Sequence, residues 1–149
     1  MTALWIFALP ICIADWSTRK IPNIYLIFLA FLIYIQLLFF GVKSLPVQGL
    51  AFLLAIFSVI FLKIGMGDAK LLVLTVLALD LGATYELLAL VSCMYLASIA
   101  QIMIVGAFNR RIPSSIPLAS AIFIGTALYL GTNMSTTLQE YAHAVVNSW

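Results

Sequence analysis

Residues 69–108 read AKLLVLTVLALDLGATYELLALVSCMYLASIAQIMIVGAF, and the way this run divides decides the fold. Asp80, Gly82, Thr84 and Glu86 cluster in its middle. A loop there leaves two apolar segments long enough to cross a bilayer, although one long helix or a differently broken pair fits the same letters. With the loop at 82–86 the run supplies spans at 68–82 and 86–108, and similar punctuation divides the rest of the chain. Apolar segments occupy 2–16, 24–40, 47–64 and 116–130, separated by STRKIPN, GVKSLP, GMGDAK and NRRIPSS. Pro10 falls inside the first segment, where proline kinks a helix or marks local irregularity. Pro113 and Pro117 sit where the last span starts, a position that tolerates proline.

Composition agrees with six spans. Of 149 residues, 65% are hydrophobic and 8% charged, and the mean hydropathy is +1.20. Soluble domains are about half apolar and about a quarter charged, and a small domain cannot hide this much apolar surface from water. A soluble enzyme and a disordered chain are excluded on these grounds, and a water-soluble disulfide scaffold because there are only two cysteines. Six spans of about 20 residues consume roughly 120 and leave about 30 for every loop. The expected fold is an all-α integral membrane bundle of six transmembrane helices in a single domain over 1–149. The first segment lacks the basic region and small-residue cleavage site of a signal peptide, so it is read as a retained span.

Charge placement orients the bundle. Six spans put Arg19, Lys20, Lys63, Lys70, Arg110 and Arg111 on one side and only Lys43 on the other. Cytoplasmic loops are enriched in Lys and Arg, so the first side faces the cytoplasm and both termini lie outside. Asp80, Glu86 and Glu140 then fall on the outer face. Arg19, Lys20, Arg110 and Arg111 are read as anchors, with lipid phosphates or an acidic part of a substrate as alternative partners. A net charge of +2 is too small and scattered for a nucleic-acid surface.

Two carboxylates remain on the cytoplasmic side, Asp15 and Asp68, separated by 53 residues. Charged groups at membrane depth are costly and usually face a protein interior or a wet cavity. Two aspartates in contact can share one proton; the ionised member then activates a water while the protonated member polarises a scissile carbonyl. Gly65 and Gly67 suit a backbone that bends or lies close to another segment. Structural roles compete. Asp68 could cap its helix, and Asp15 could pair with Arg19 one turn on. Asp15 nevertheless closes its helix, the end at which the dipole disfavours an anion, so another benefit is required there.

These residues resemble a known family. Asp15-Trp-Ser-Thr-Arg-Lys-Ile-Pro22-Asn23 is similar to the first catalytic motif of the type IV prepilin peptidases, and Gly65-Met-Gly67-Asp68-Ala-Lys70 is similar to their second, Gly-x-Gly-Asp. The resemblance spans nearly the whole chain, in the right order and on the right side. It implies a membrane aspartyl endopeptidase that removes the short basic leader of prepilin-like or archaellin-like precursors at the cytoplasmic face of the plasma membrane. Asp15 and Asp68 would be its catalytic pair, with Gly65, Gly67, Lys70, Pro22 and Asn23 in support. No cofactor or metal is implied; the partners are a prepilin-like protein and the bilayer.

Larger family members carry a cytoplasmic insertion with paired Cys-x-x-Cys motifs and methylate the new terminus. Here the corresponding loop is short and Cys12 and Cys93 lie in apolar spans, so methyltransferase activity is not expected. The compact form is closer to peptidases of Flp-type pili or preflagellins. Lys70 could act on Asp68 or simply add an inside charge; Pro22 and Asn23 would form the turn that positions Asp15. His143, the single histidine, lies in the outer tail. Phe28, Phe31, Tyr34, Phe39 and Phe40 are read as facing lipid or packed between helices. Two other functions fit the same acids: an ion- or proton-coupled transporter that uses them as a relay, and a noncatalytic pilus-assembly subunit.

Overall fold

A computed structural model describes the backbone of residues 2–61, 63–109 and 117–146, with side chains over 4–61, 63–107 and 117–133. Arg110, Arg111 and Pro113 lie outside the described residues, as do the side chains of Glu140 and His143. The chain forms six α-helices, with no strand among the described residues: α1 Thr2–Thr18, α2 Asn23–Phe40, α3 Leu45–Phe61, α4 Met66–Leu79, α5 Thr84–Asn109 and α6 Leu118–Val146. The run at 69–108 is therefore broken at residues 80–83. Asp80 ends α4 in the left-handed conformation at φ 48° and ψ 56°. Its Oδ1 accepts hydrogen bonds from the Lys43 backbone N–H at 3.0 Å and from Gln48 Nε2 at 3.4 Å. Glu86 Oε2 reaches back to accept from the Gly82 N–H at 2.8 Å, satisfying a donor ahead of α5.

Three further boundaries follow from local chemistry. α1 passes through Pro10 as one helix and stops where Arg19 turns left-handed at φ 55°. Pro22, extended at φ −60° and ψ 129°, precedes Asn23 as the N-cap of α2. α4 starts at Met66 rather than at the expected 68, because Gly65 takes the N-cap position. The largest departure is α6, which continues to Val146 instead of ending at Leu130. Polar residues after Gly131 end the apolar segment, but residues 132–146 contain neither proline nor glycine to end the helix.

α4 is the centre of the bundle. It packs on α1, α2, α3 and α6, while α5 lies mainly along α6. Leu71, Thr75 and Val76 of α4 are fully buried, as are Ile11, Leu29 and Ile33 of its neighbours and Leu87 and Leu90 of α5. The Thr75 hydroxyl is satisfied within its own helix, donating to the Leu71 carbonyl at 2.8 Å. At the α5–α6 crossing, Gly125 lies against the Met94 backbone with no room for a side chain.

Much of the outside is apolar too. Ile6, Leu9 and Ile13 on α1, Ile27, Phe31 and Phe39 on α2, Leu53 and Ile60 on α3, and Leu88, Leu96 and Met103 on α5 are all exposed. So are Phe28, Tyr34 and Phe40, which places these aromatic residues of α2 on the surface rather than between helices. Two helices, Asn23–Phe40 and Thr84–Ala107, are long and apolar enough to cross a membrane on their own. Leu4–Thr18, Leu45–Phe61 and Leu118–Asn133 are shorter apolar helices, and α4 has only 14 residues, about 21 Å.

Candidate active site at the α1, α4 and α6 ends

The last turn of α1 and the first turns of α4 and α6 converge on Asp15 and Asp68. Asp15 is 4% exposed. Its Oδ2 accepts a hydrogen bond from the Ala119 backbone N–H at 2.9 Å. Ala119 is the second residue of α6, so this N–H is one of the donors that no carbonyl of the same helix can satisfy. An anion at that end also meets the positive pole of the α6 dipole. This supplies the benefit that its position at the end of α1 withholds. Arg19 is close enough for its charge to act on Asp15 as well, in keeping with the one-turn spacing.

Asp68 occupies the first turn of α4, three residues after Gly65, which holds the N-cap position. The capping role open to it in the sequence is therefore not the one it has. Asp68 lies close enough to Asp15 for the two carboxylates to repel one another. Its Oδ1 is buried without a hydrogen-bond partner. A buried polar atom without a partner is costly and rare, so this oxygen is the feature of the site that most requires a chemical explanation.

Both glycines of the second motif provide space rather than unusual dihedrals. A Cβ on Gly65 would stand 3.0 Å from Asp68 Oδ2, so any side chain there presses on the carboxylate. A Cβ on Gly67 would stand 3.3 Å from Ile21 Cβ. The start of α4 is thus held against the loop that follows α1, and the two motifs touch through backbone and short side chains. Lys70 Nζ donates to Asn23 Oδ1 at 3.5 Å, joining α4 to the start of α2. Pro22 and Asn23 accordingly belong to the start of α2, and Lys70 meets the first motif at Asn23.

The N-terminal end of α6 is tied down from a second direction, which the sequence did not signal. Gln101 Nε2 donates to the Pro117 carbonyl at 3.3 Å and to Ser120 Oγ at 2.9 Å. Ser120 Oγ also donates to the Pro117 carbonyl at 2.9 Å. Gln101 on α5 thereby fixes the turn that presents the Ala119 N–H to Asp15. Only the glutamine and serine flanking an apolar run could have pointed to it.

Charges segregate along the bundle. Arg19, Lys20, Lys63 and Lys70 lie at the ends of α1, α3 and α4 that gather around Asp15 and Asp68, and all four are exposed. Lys43 is at the opposite end, beside Asp80. Cys12 on α1 and Cys93 on α5 are free thiols, each half-buried. No group of three or more His, Cys, Asp and Glu that could hold a metal occurs among the described residues. No family model, curated protein or solved structure matches this chain.

Proposed function

We propose that the protein is a membrane-embedded aspartyl endopeptidase that cleaves the short basic leader from prepilin-like precursors at the cytoplasmic face of the plasma membrane. The observation that carries this reading is the placement of Asp15 and Asp68 at the same end of the bundle, near enough for their charges to interact. Two carboxylates from distant sequence motifs share one sheltered site, and Asp68 Oδ1 has no protein partner. Structural acids are paired with cations or amides; an acid pair with an open oxygen suits water activation. The bilayer reading is supported by the apolar residues exposed on α1, α2, α3 and α5, since an apolar surface this extensive calls for lipid or protein cover. Orientation follows the cations: the Arg19, Lys20, Lys63 and Lys70 end faces the cytoplasm, as in a six-span bundle with both termini outside.

In this reading the two carboxylates have different roles. Asp15, held by the Ala119 N–H on Oδ2, is the carboxylate base that removes a proton from water. The resulting hydroxide adds to the scissile carbonyl carbon. Asp68, protonated, donates to the carbonyl oxygen, giving a neutral gem-diol. Proton transfer from Asp15 to the departing amine then breaks the C–N bond, and the gem-diol proton returns to Asp68. The pair ends in its starting state, with no cofactor used. Gly65 leaves room for the Asp68 carboxylate, and Gly67 permits the approach of the two motifs.

One observation favours a second reading. The Ala119 N–H on Asp15 is a sufficient structural reason for that residue, as in a noncatalytic assembly subunit. Asparagine substitution separates the two, because Asp15→Asn retains an acceptor for the Ala119 N–H and loses the base. Co-expression with a single-span, basic-leader precursor gives the test. Asp15→Asn and Asp68→Asn should each abolish leader removal at unchanged membrane levels of the protein. Cleavage near the wild-type rate in either variant would remove the pair from the chemistry.

A further inference from the structure

A second feature lies on the other side of α4. A groove of about 790 Å³ runs between α2, α3 and α4. Ala30, Ala55 and Ala69, one small residue from each helix, line it, and Asn23 and Lys70 stand at one end. Ile27, Phe52 and Ile60 along its sides are exposed, so the groove opens outward between the helices. The α4 residues that line it, such as Met66, Lys70 and Val73, point roughly 170° away from Asp68 at about 100° per residue. It is therefore not an approach to the aspartate pair.

Dimensions and charge identify an occupant. Along α4 the groove extends from Met66 to Leu74, about 12 Å at 1.5 Å per residue. That is close to the roughly 15 Å of hydrocarbon in one leaflet and less than half the roughly 30 Å that a spanning helix would need. A helix about 10 Å across and about 30 Å long would fill roughly 2,400 Å³, several times this volume. The polar end is cationic. Lys70 lines it, and exposed Lys63 lies in the short segment joining Ile60 to Met66, both of which also line it. No acid lines the groove among the described residues. We propose that this groove is a binding site for one anionic phospholipid of the cytoplasmic leaflet, one of its two acyl chains over Ala30, Ala55 and Ala69 and its phosphate at Lys70 and the Asn23 amide. The site rests on the bilayer reading and is independent of peptidase activity.

Native mass spectrometry of the purified full chain in mild detergent tests it, with phosphatidylglycerol, phosphatidylcholine or inorganic phosphate added in separate arms. One phosphatidylglycerol should bind per chain, phosphatidylcholine more weakly, and phosphate alone not at all. Lys70→Gln should weaken phosphatidylglycerol binding about fivefold, the value of one lysine near an anionic headgroup. Ala55→Phe, which fills the chain slot, should abolish it. Lys43→Gln, at the opposite end, and Asp68→Asn, on the opposite face of α4, should bind as wild type does. Lys70 is exposed, so its variant decides the matter even where the Ala55 variant fails to fold. Equal binding of the two lipids, unchanged binding in Lys70→Gln, an equal loss in Lys43→Gln, or occupation of the groove by a second chain would each overturn the proposal.

Discussion

Gly125→Ala is the substitution whose cost the structure specifies most closely. An added Cβ would stand 2.5 Å from Met94 Cα, 2.7 Å from Met94 N and 2.8 Å from Met94 Cγ. Carbon atoms in contact sit about 3.5–4.0 Å apart, so α6 must withdraw from α5 by about 1 Å. Two of the three atoms are main chain, and no rotamer change relieves them. Overpacking of a tight interface costs typically about 1–3 kcal/mol, and the upper part of that range, about 2–3 kcal/mol, applies where backbone must move. For a chain of this size that corresponds to a fall in Tm of about 5–10 °C. Thermal unfolding of the purified protein in detergent, followed by circular dichroism, measures it. Met94→Ala removes the Cγ contact and leaves the Cα and N contacts, so it should not rescue Gly125→Ala. A Tm within about 1 °C of wild type, or full rescue by Met94→Ala, would refute a backbone-limited crossing.

Other sites give sharper contrasts between paired variants. Asp15→Ala leaves the buried Ala119 N–H without its acceptor and should cost about 1–3 kcal/mol, whereas Asp15→Asn keeps an oxygen there and should cost less than about 1 kcal/mol in the same melts. Asp80→Ala forfeits a residue tolerant of the left-handed conformation, about 1–2 kcal/mol, together with the acceptor for Lys43 N–H and Gln48. Asp80→Asn retains both and should melt close to wild type. Gly65→Ala places a methyl 3.0 Å from Asp68 Oδ2; displacement by a few tenths of an ångström should slow leader cleavage about tenfold, measured as initial rate in membranes, with little change in Tm.

Helix number and most boundaries were legible in the sequence because they depend on local signals. Asp80 through Ala83 interrupt an apolar run, Pro22 opens α2, and each break bends the chain within a few residues. The same reasoning fails at α6, where the polar residues end the apolar character of the helix but not the helix itself. The start of α4 moved because Gly65, not Asp68, took the N-cap. At the candidate site, the residue types and their common end of the bundle were readable, since two acids among few charges are conspicuous. Their contacts were not. The Ala119 N–H reaches Asp15 from 104 residues away, and nothing in the spacing of either segment encodes that meeting. Lys70 likewise had two roles open to it, and only the placement of Asn23 brought it to the first motif. The space that Gly65 leaves for Asp68, and the contact of Gly67 with Ile21, are set by the tertiary fold, because neither glycine has a dihedral that only glycine adopts.

Peptide-bond hydrolysis by the Asp15 and Asp68 pair is the central claim, and one measurement tests it most directly. Purified wild-type protein and Asp68→Asn are reconstituted into liposomes with a prepilin-like precursor, and the intact mass of the precursor is followed over time. The account predicts two products in the wild-type sample, the free basic leader and the shortened precursor, whose masses sum to that of the intact precursor plus one water. It predicts an unchanged precursor with Asp68→Asn, at equal reconstitution and equal Tm. Cleavage at the same bond and rate by Asp68→Asn, or no cleavage by the folded wild-type protein, would contradict it.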